Sequence, residues 1–340
     1  MADRLALPGF VNAHSHAFQR ALRGKVEGGD FWAWREAMLG LARGLTPGHV
    51  RTQYTAVYAE MRAAGYTAVG EFHYVGLAEA RAAVEAAGEA GVELVLLLAA
   101  YARGGLERFR QESVGEYVAQ LEALREAGGR VGLAPHSVRA CPRDWLEEIG
   151  RHAEREGLVL HVHADEQPRE IEECLAEHGL RPVELLAETG CLGPRTTVVH
   201  ATHADERELD LLAEAGARVC LCPTTEANLG DGFPPLAGLL ERGIPLCIGS
   251  DSNVRIDPLE ELRELEGIAR RQTLRRNVIP VPDLLAAGSA AGAEALGIDD
   301  WPGIEVDLGH RSLRGVAPEE AQAALVHGSG ADVLTPSTDV

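Results

Sequence analysis

The chain has 340 residues, 46% of them hydrophobic and 25% charged, with 32 Lys+Arg against 52 Asp+Glu and a net charge of −20. That length suits two average domains or one large barrel, and it excludes a disulfide mini-protein and a disordered tail. The acidic balance argues against a nucleic-acid partner, which needs a basic footprint.

Short apolar runs recur along the chain, most of them followed by a helical pattern. Residues 7–11 read as the first strand, 51–64 as a helix ending at Gly65, 67–72 as a strand and 77–90 as a helix ending at Gly91. The alternation continues with strand 93–99, helix 114–127, strand 131–134, helix 143–156, strand 158–163 and helix 169–178. Strand 196–200, helix 206–215, strands 217–221 and 245–248, and helix 258–272 complete it. The strands are almost continuously apolar, as strands buried on both faces should be. Gly just past a helix end is a common stop. Eight such β-then-α units predict a (β/α)8 TIM barrel, whose usual length is about 250 residues. A doubly wound open sheet is the alternative, but no G-x-G-x-x-G follows the first strand. The reading is a catalytic barrel over 7–275 and a C-terminal helical and strand extension over 276–340, packed on it.

Six cysteines are scattered through the chain, and Cys220 and Cys222 are one residue apart, which is not the C-x-x-C spacing. They read as buried free thiols in a reducing compartment. No apolar run approaches the ~20 residues of a membrane span. Met1-Ala2-Asp3-Arg4 lacks the basic-then-apolar order of a signal peptide. A cytoplasmic protein with no membrane or nucleic-acid partner is expected.

Barrels of this type place their chemistry at the C-terminal strand ends. Those ends read His14-Ser15-His16, Glu71-Phe72-His73-Tyr74, His136-Ser137-Val138-Arg139, His161-Val162-His163-Ala164-Asp165-Glu166, His200-Ala201-Thr202-His203 and Gly249-Ser250-Asp251-Ser252. Most of the 13 histidines fall at these places. His14 and His16 are two apart on a strand, so both point to one face and can share a metal. H-x-H alone is a weak signal. With a strand-end His and Asp on later strands it becomes a strong one, for a mixed N/O site that suits zinc, with iron or nickel as alternatives.

With these residues in place the chain resembles the amidohydrolase superfamily, in its mononuclear deaminase branch. Six stretches narrow the likeness to the formimidoylglutamate deiminases: His14-Ser15-His16-Ala17-Phe18-Gln19-Arg20, Phe31-Trp32-Ala33-Trp34-Arg35-Glu36, Glu71-Phe72-His73-Tyr74, His200-Ala201-Thr202-His203-Ala204-Asp205, Thr225-Glu226-Ala227-Asn228-Leu229-Gly230-Asp231-Gly232 and Ser250-Asp251-Ser252. The second and third are the specific ones; the likeness covers about residues 7–275.

The resemblance implies that His14, His16, His163 and Asp251 hold one divalent metal per chain. A cation in a dry site makes hydroxide available near pH 7. Asp251 is then placed to take a proton from water, Glu166 to pass one to the leaving nitrogen, and His200 to polarise the site. His161 reads as a core or supporting residue, and His203 as a loop-stabilising one. The implied substrate is a dicarboxylate, N-formimino-L-glutamate, which becomes N-formyl-L-glutamate and ammonia in histidine degradation. Arg35 and Arg139 occupy substrate-arginine positions, with Gln19, Tyr74 and His136 as hydrogen-bonding partners. The alternative is a mononuclear deaminase acting on a purine, a pyrimidine or another guanidine or amidine. Lys25 is the only lysine and lies in the first loop, so a lysine-bridged metal pair is excluded. A homodimer is expected from resemblance alone.

Relatives usually carry a small β-sandwich built from both chain ends. Residues 1–6 alone precede the first predicted strand, so its N-terminal half is expected to be absent, by a short form or by an incomplete start. The stretch Gly330-Ala331-Asp332-Val333-Leu334 suggests a remnant of its C-terminal half.

Overall fold

Strands that are apolar on both faces need cover on both, and the helices between them supply it. The computed structural model describes residues 4–337; residues 1–3, on which the reading of the chain start partly rests, and 338–340 lie outside it. A first strand, β1 (Arg4–Pro8), stands apart from the barrel. Eight parallel strands follow in sequential order: β2 (Phe10–Ser15), β3 (Tyr66–His73), β4 (Glu93–Ala100), β5 (Arg130–Pro135), β6 (Leu160–Ala164), β7 (Thr196–His200), β8 (Arg218–Leu221) and β9 (Leu246–Ile248). They form a nearly closed barrel with helices between them, the expected TIM architecture. Several predicted helices recur with their bounds unchanged, as Leu77–Ala90, Arg143–Glu156 and Glu206–Ala215.

The seam between β9 and β2 is narrow and lies at the strand ends. Asp251 N–H donates to the His14 carbonyl at 2.9 Å, and His16 N–H donates to the Asp251 carbonyl at 2.8 Å. A Cβ at Gly249 would lie 2.7 Å from the His14 carbonyl oxygen, so a glycine is required for the strands to meet there. The same backbone closure that completes the barrel therefore brings Asp251 against His14 and His16.

The single strand predicted at 7–11 is two strands, broken at Gly9. A Cβ there would meet Thr67 Oγ1 at 2.0 Å and the Pro302 carbonyl at 2.2 Å. Before the break, β1 pairs antiparallel with β10 (Gly303–Asp307), which pairs with β11 (Leu334–Pro336). One N-terminal strand is thus present where that half was expected to be absent, and in place of a sandwich the described residues form a single three-stranded sheet. Of the helices that stand where none was predicted, two bear on the site. Phe31–Arg43 is capped by Asp30, whose carboxylate accepts from Ala33 N–H at 3.0 Å. Pro223–Leu229 covers the first half of the motif over 225–232. Among the described residues no helix is long and apolar enough to cross a membrane, and all six cysteines are buried and free.

Candidate active site

Five non-glycine residues at the barrel's C-terminal rim have positive φ: Asp165, His200, Ala201, Asp251 and Asn253. Such conformations carry strain and persist only where the surroundings hold them. Here a polar relay holds the seam. Asn12 Nδ2 donates to Ser250 Oγ (2.6 Å), which donates to Asn253 Oδ1 (2.6 Å). Asn253 Nδ2 donates in turn to Ser15 Oγ (3.1 Å), which donates to Glu71 (3.0 Å). Asp251 sits on this relay as a fixed strut.

One ligand atom from each of His14, His16, His163 and Asp251 lies within 4.8 Å of the others, and all four residues are buried. His16 Nδ1 is 2.9 Å from the Phe72 carbonyl, and His163 Nδ1 is 2.9 Å from the His136 carbonyl. A carbonyl only accepts, so each Nδ1 carries the proton and leaves Nε2 as a bare lone pair. Those lone pairs converge: His14 Nε2 is 3.1 Å from His163 Nε2, and Asp251 Oδ1 is 3.5 Å from His14 Nε2 and 3.4 Å from His16 Nε2. Burial, and then the neighbouring imidazoles, hold His14 well below the ordinary histidine range. Burial first, with His14 next, does the same for His16, and burial holds His163 at about 4. The His16 and His163 lone pairs and the Asp251 carboxylate, acceptors pointed at one spot, repel each other unless a cation sits among them, and His14, whose Nδ1 has no partner to fix its tautomer, is free to turn a lone pair to the same spot. This donor set fits a divalent metal.

His200 faces the other side of Asp251. Its Nε2 is 3.8 Å from Asp251 Oδ2 and 3.7 Å from Glu166 Oε1, and its Nδ1 is 3.2 Å from Glu226 Oε1. Burial alone would lower its pKa, but Glu166, Glu226 and Asp251 outweigh burial and raise it to about 10. Glu226 was not singled out from the sequence. It stands on the helix after β8, where the Cys222 N–H also binds it at 2.9 Å.

A cleft opens over these groups, lined by His16, His163, Glu166 and Asp251 and by Gln19, Arg35, Tyr74, His136 and Arg139. Gln19 Nε2 donates to Tyr74 Oη at 2.9 Å, which leaves its buried Oε1 without a partner. His136 Nδ1 is 3.1 Å from Ser137 Oγ, and burial holds this imidazole neutral. Arg35 rides on the Phe31–Arg43 helix, and its nearest acid is exposed Glu36 at 3.7 Å. Arg139 lies between two carboxylates, Glu166 and fully buried Glu170, each at 3.4 Å. Glu170 was also not foreseen. It tethers Glu166 twice, through Arg139 and by accepting the Glu166 N–H at 3.2 Å. His161 lies apart, with Nε2 2.8 Å from the Ala295 carbonyl, and His203 binds the Asp231 carbonyl at 2.8 Å.

A family model described as the amidohydrolase family matches residues 5–306. The chain is 39% identical over 334 residues to the formimidoylglutamate deiminase of Pseudomonas aeruginosa, covering 87% of this chain and 74% of that one. It is 32% identical over 302 residues to a 5-methylthioadenosine/S-adenosylhomocysteine deaminase of Natronomonas pharaonis, covering 87% and 69%. A crystal structure of an amidohydrolase from Brucella melitensis superposes with a TM-score of 0.87 at 30% identity, covering 97% of this chain and 84% of that one.

Proposed function

The chain belongs to the amidohydrolase family and is a hydrolase of carbon–nitrogen bonds, and we propose that it hydrolyses N-formimino-L-glutamate to N-formyl-L-glutamate and ammonia. The observation that carries the substrate choice is the pair of arginines, Arg35 and Arg139, in the wall of the cleft that also holds Glu166 and Asp251. Paired guanidinium groups suit a dicarboxylate. The similarity to the Pseudomonas aeruginosa deiminase supports the same reading.

A divalent metal, zinc first and iron or nickel as alternatives, would be held by His14, His16, His163 and Asp251, and would supply the Lewis acidity that brings water to a pKa of about 7. Asp251 takes a proton from the water that attacks the amidine carbon. His200, braced from behind by Glu226, offers positive charge at the oxygen as the tetrahedral centre forms. Glu166 shuttles a proton from the water to the amidine nitrogen and the proton taken by Asp251 follows it, so both water protons end on the leaving nitrogen and the carbon–nitrogen bond breaks with ammonia leaving neutral. Arg35 and Arg139 bind the two carboxylates, while Gln19 Oε1, Tyr74 and His136 hold the polar backbone of the substrate.

A second reading has one observation behind it. Trp34 also lines the cleft, offering a stacking face for a ring, and the Natronomonas pharaonis relative deaminates a purine nucleoside. Comparing N-formimino-L-glutamate with N-formiminoglycine tests the first reading, because the smaller amidine keeps one carboxylate and loses the other. A large fall in kcat/KM for N-formiminoglycine is expected, and equal values contradict it. The reading carries with it a cytosolic homodimer, on grounds of likeness alone; light scattering tests the dimer.

A further inference from the structure

Cys222 is fully buried at the rim end of β8 and has no part in the hydrolysis described above. It faces the back of the catalytic aspartate. One ligand atom from each of Cys222, His200 and Asp251 lies within 4.8 Å of the others. Asp251 divides its carboxylate between two groups of imidazoles. Oδ1 faces His14 and His16 at 3.5 and 3.4 Å, whereas Oδ2 faces His200 at 3.8 Å. His200 Nε2 is fully buried and has no hydrogen-bond partner. Its Nδ1 is bound by Glu226 Oε1 at 3.2 Å, and that same oxygen accepts the Cys222 amide at 2.9 Å. A carboxylate behind an imidazole is how metal-ligating histidines are usually oriented. Here it orients the histidine and the cysteine backbone together.

We propose that His200, Cys222 and Asp251 form a second, inhibitory site for a soft divalent ion of the zinc or cadmium kind, with Asp251 bridging it to the first. The mixed nitrogen, sulfur and oxygen set suits those ions, and the thiol selects against calcium and magnesium. The two sites use opposite oxygens of one carboxylate, as in paired-metal centres with ions about 3.5–4 Å apart. Entry of the ion forms a metal–sulfur and a metal–nitrogen bond and breaks the S–H bond of Cys222 and the Nε2–H bond of the cationic His200, and both protons pass to buffer. The occupied site engages His200 Nε2 and Asp251 Oδ2, the two groups turnover uses, and so it stops turnover. The inhibitory half of this inference rests on the catalytic reading above; the binding half does not.

Protein loaded with one zinc per chain is titrated with Cd2+, with zinc and cadmium counted and the ultraviolet cadmium–thiolate band recorded at each step. Ammonia release from N-formimino-L-glutamate is followed in parallel against excess zinc. Expected are retention of the zinc, uptake of one cadmium per chain, a band that rises with it, and turnover falling by roughly tenfold or more at saturation. Cys222→Ser should lose the band yet turn over normally with one zinc. Losing a ligand should cost at least the 10–100-fold in affinity typical of losing an outer hydrogen-bonding partner, on the order of a 10–100-fold higher zinc concentration for inhibition. Cys222→Ala serves the same purpose if a hydroxyl unsettles the buried wall. Cadmium that only replaces the zinc, a band that persists in both variants, or inhibition of the variants at the wild-type zinc concentration would overturn the proposal. Failure of the substrate reading looks different: no ammonia at any loading, with the count and band still reporting the second site.

Discussion

Arg139 should matter to both binding and turnover, because it touches more than the substrate cleft. Its guanidinium is 3.4 Å from Glu166 and 3.4 Å from Glu170, and its side chain is only 17% exposed. Arg139→Met removes the one cation between two buried carboxylates. Breaking such a pair costs about 3–5 kcal/mol. The contacts are long and Glu170 keeps the Glu166 amide, so the lower end, about 3 kcal/mol, applies. With an unfolding entropy of roughly 2.1 cal/mol/K per residue over 340 residues, that lowers Tm by about 4 °C. Loss of a charge-assisted contact to a substrate carboxylate has a similar size, roughly two orders of magnitude in kcat/KM. The loss should be shared between KM and kcat, because Glu166 loses its anchor as well as the substrate losing its partner. Glu170→Gln is the companion variant: it keeps Arg139 for the substrate and loosens Glu166, so it should lower kcat with little change in KM. Steady-state kinetics and a thermal melt on both variants measure this. A pure KM effect in Arg139→Met, with kcat unchanged, would refute the claim that Arg139 also positions Glu166.

Other outcomes follow from the same geometry. Asp251→Asn should lose roughly 10²–10⁴-fold in turnover, the range for a removed general base, while far-ultraviolet dichroism stays native; wild-type-like ammonia release contradicts the mechanism. A chelator should abolish activity and zinc restore it, and Lys25→Ala should leave the metal count unchanged, since no ligand in the cluster is a lysine; a lower count would point to a lysine bridge. Glu71 gives a pH test. Burial raises its pKa from 4.5 to about 8 against the hydrogen bonds from the Ala17 N–H and the Ser15 hydroxyl, which lower it. The folded state therefore binds the extra proton between these values, and stability contributed by this group falls as pH rises from about 4.5 to about 8. Denaturant unfolding of wild type and Glu71→Gln at both ends of that window should show stability falling with pH in wild type relative to the variant, a difference that the buried histidines common to both do not contribute.

Much of the barrel was readable because buried parallel strands leave a plain signal. Runs such as 94–99 are apolar throughout, and H-x-H on a strand forces two imidazoles to one face. The break at Gly9 was not readable, since what forbids a side chain there is Thr67 and Pro302, both remote in sequence. Glu226 was hidden for a similar reason. Its helix starts one residue after β8 with no polar spacer, and its partner His200 is on the preceding strand. Glu170 lies in an acidic stretch that reads as a solvated helix face; its burial is intelligible only once Arg139 is seen beside it. The Phe31–Arg43 helix was missed because its aromatic residues obscure helical periodicity, though Asp30 is an ordinary N-cap.

The central claim is that this metal-dependent amidohydrolase acts on a linear dicarboxylate amidine. It is tested most directly by ammonia release from N-formimino-L-glutamate and from 5′-methylthioadenosine, in one preparation whose metal content is counted. Release from the amidine alone, with one metal per chain, is the predicted result. Release from the nucleoside alone, at the same metal content, would contradict it.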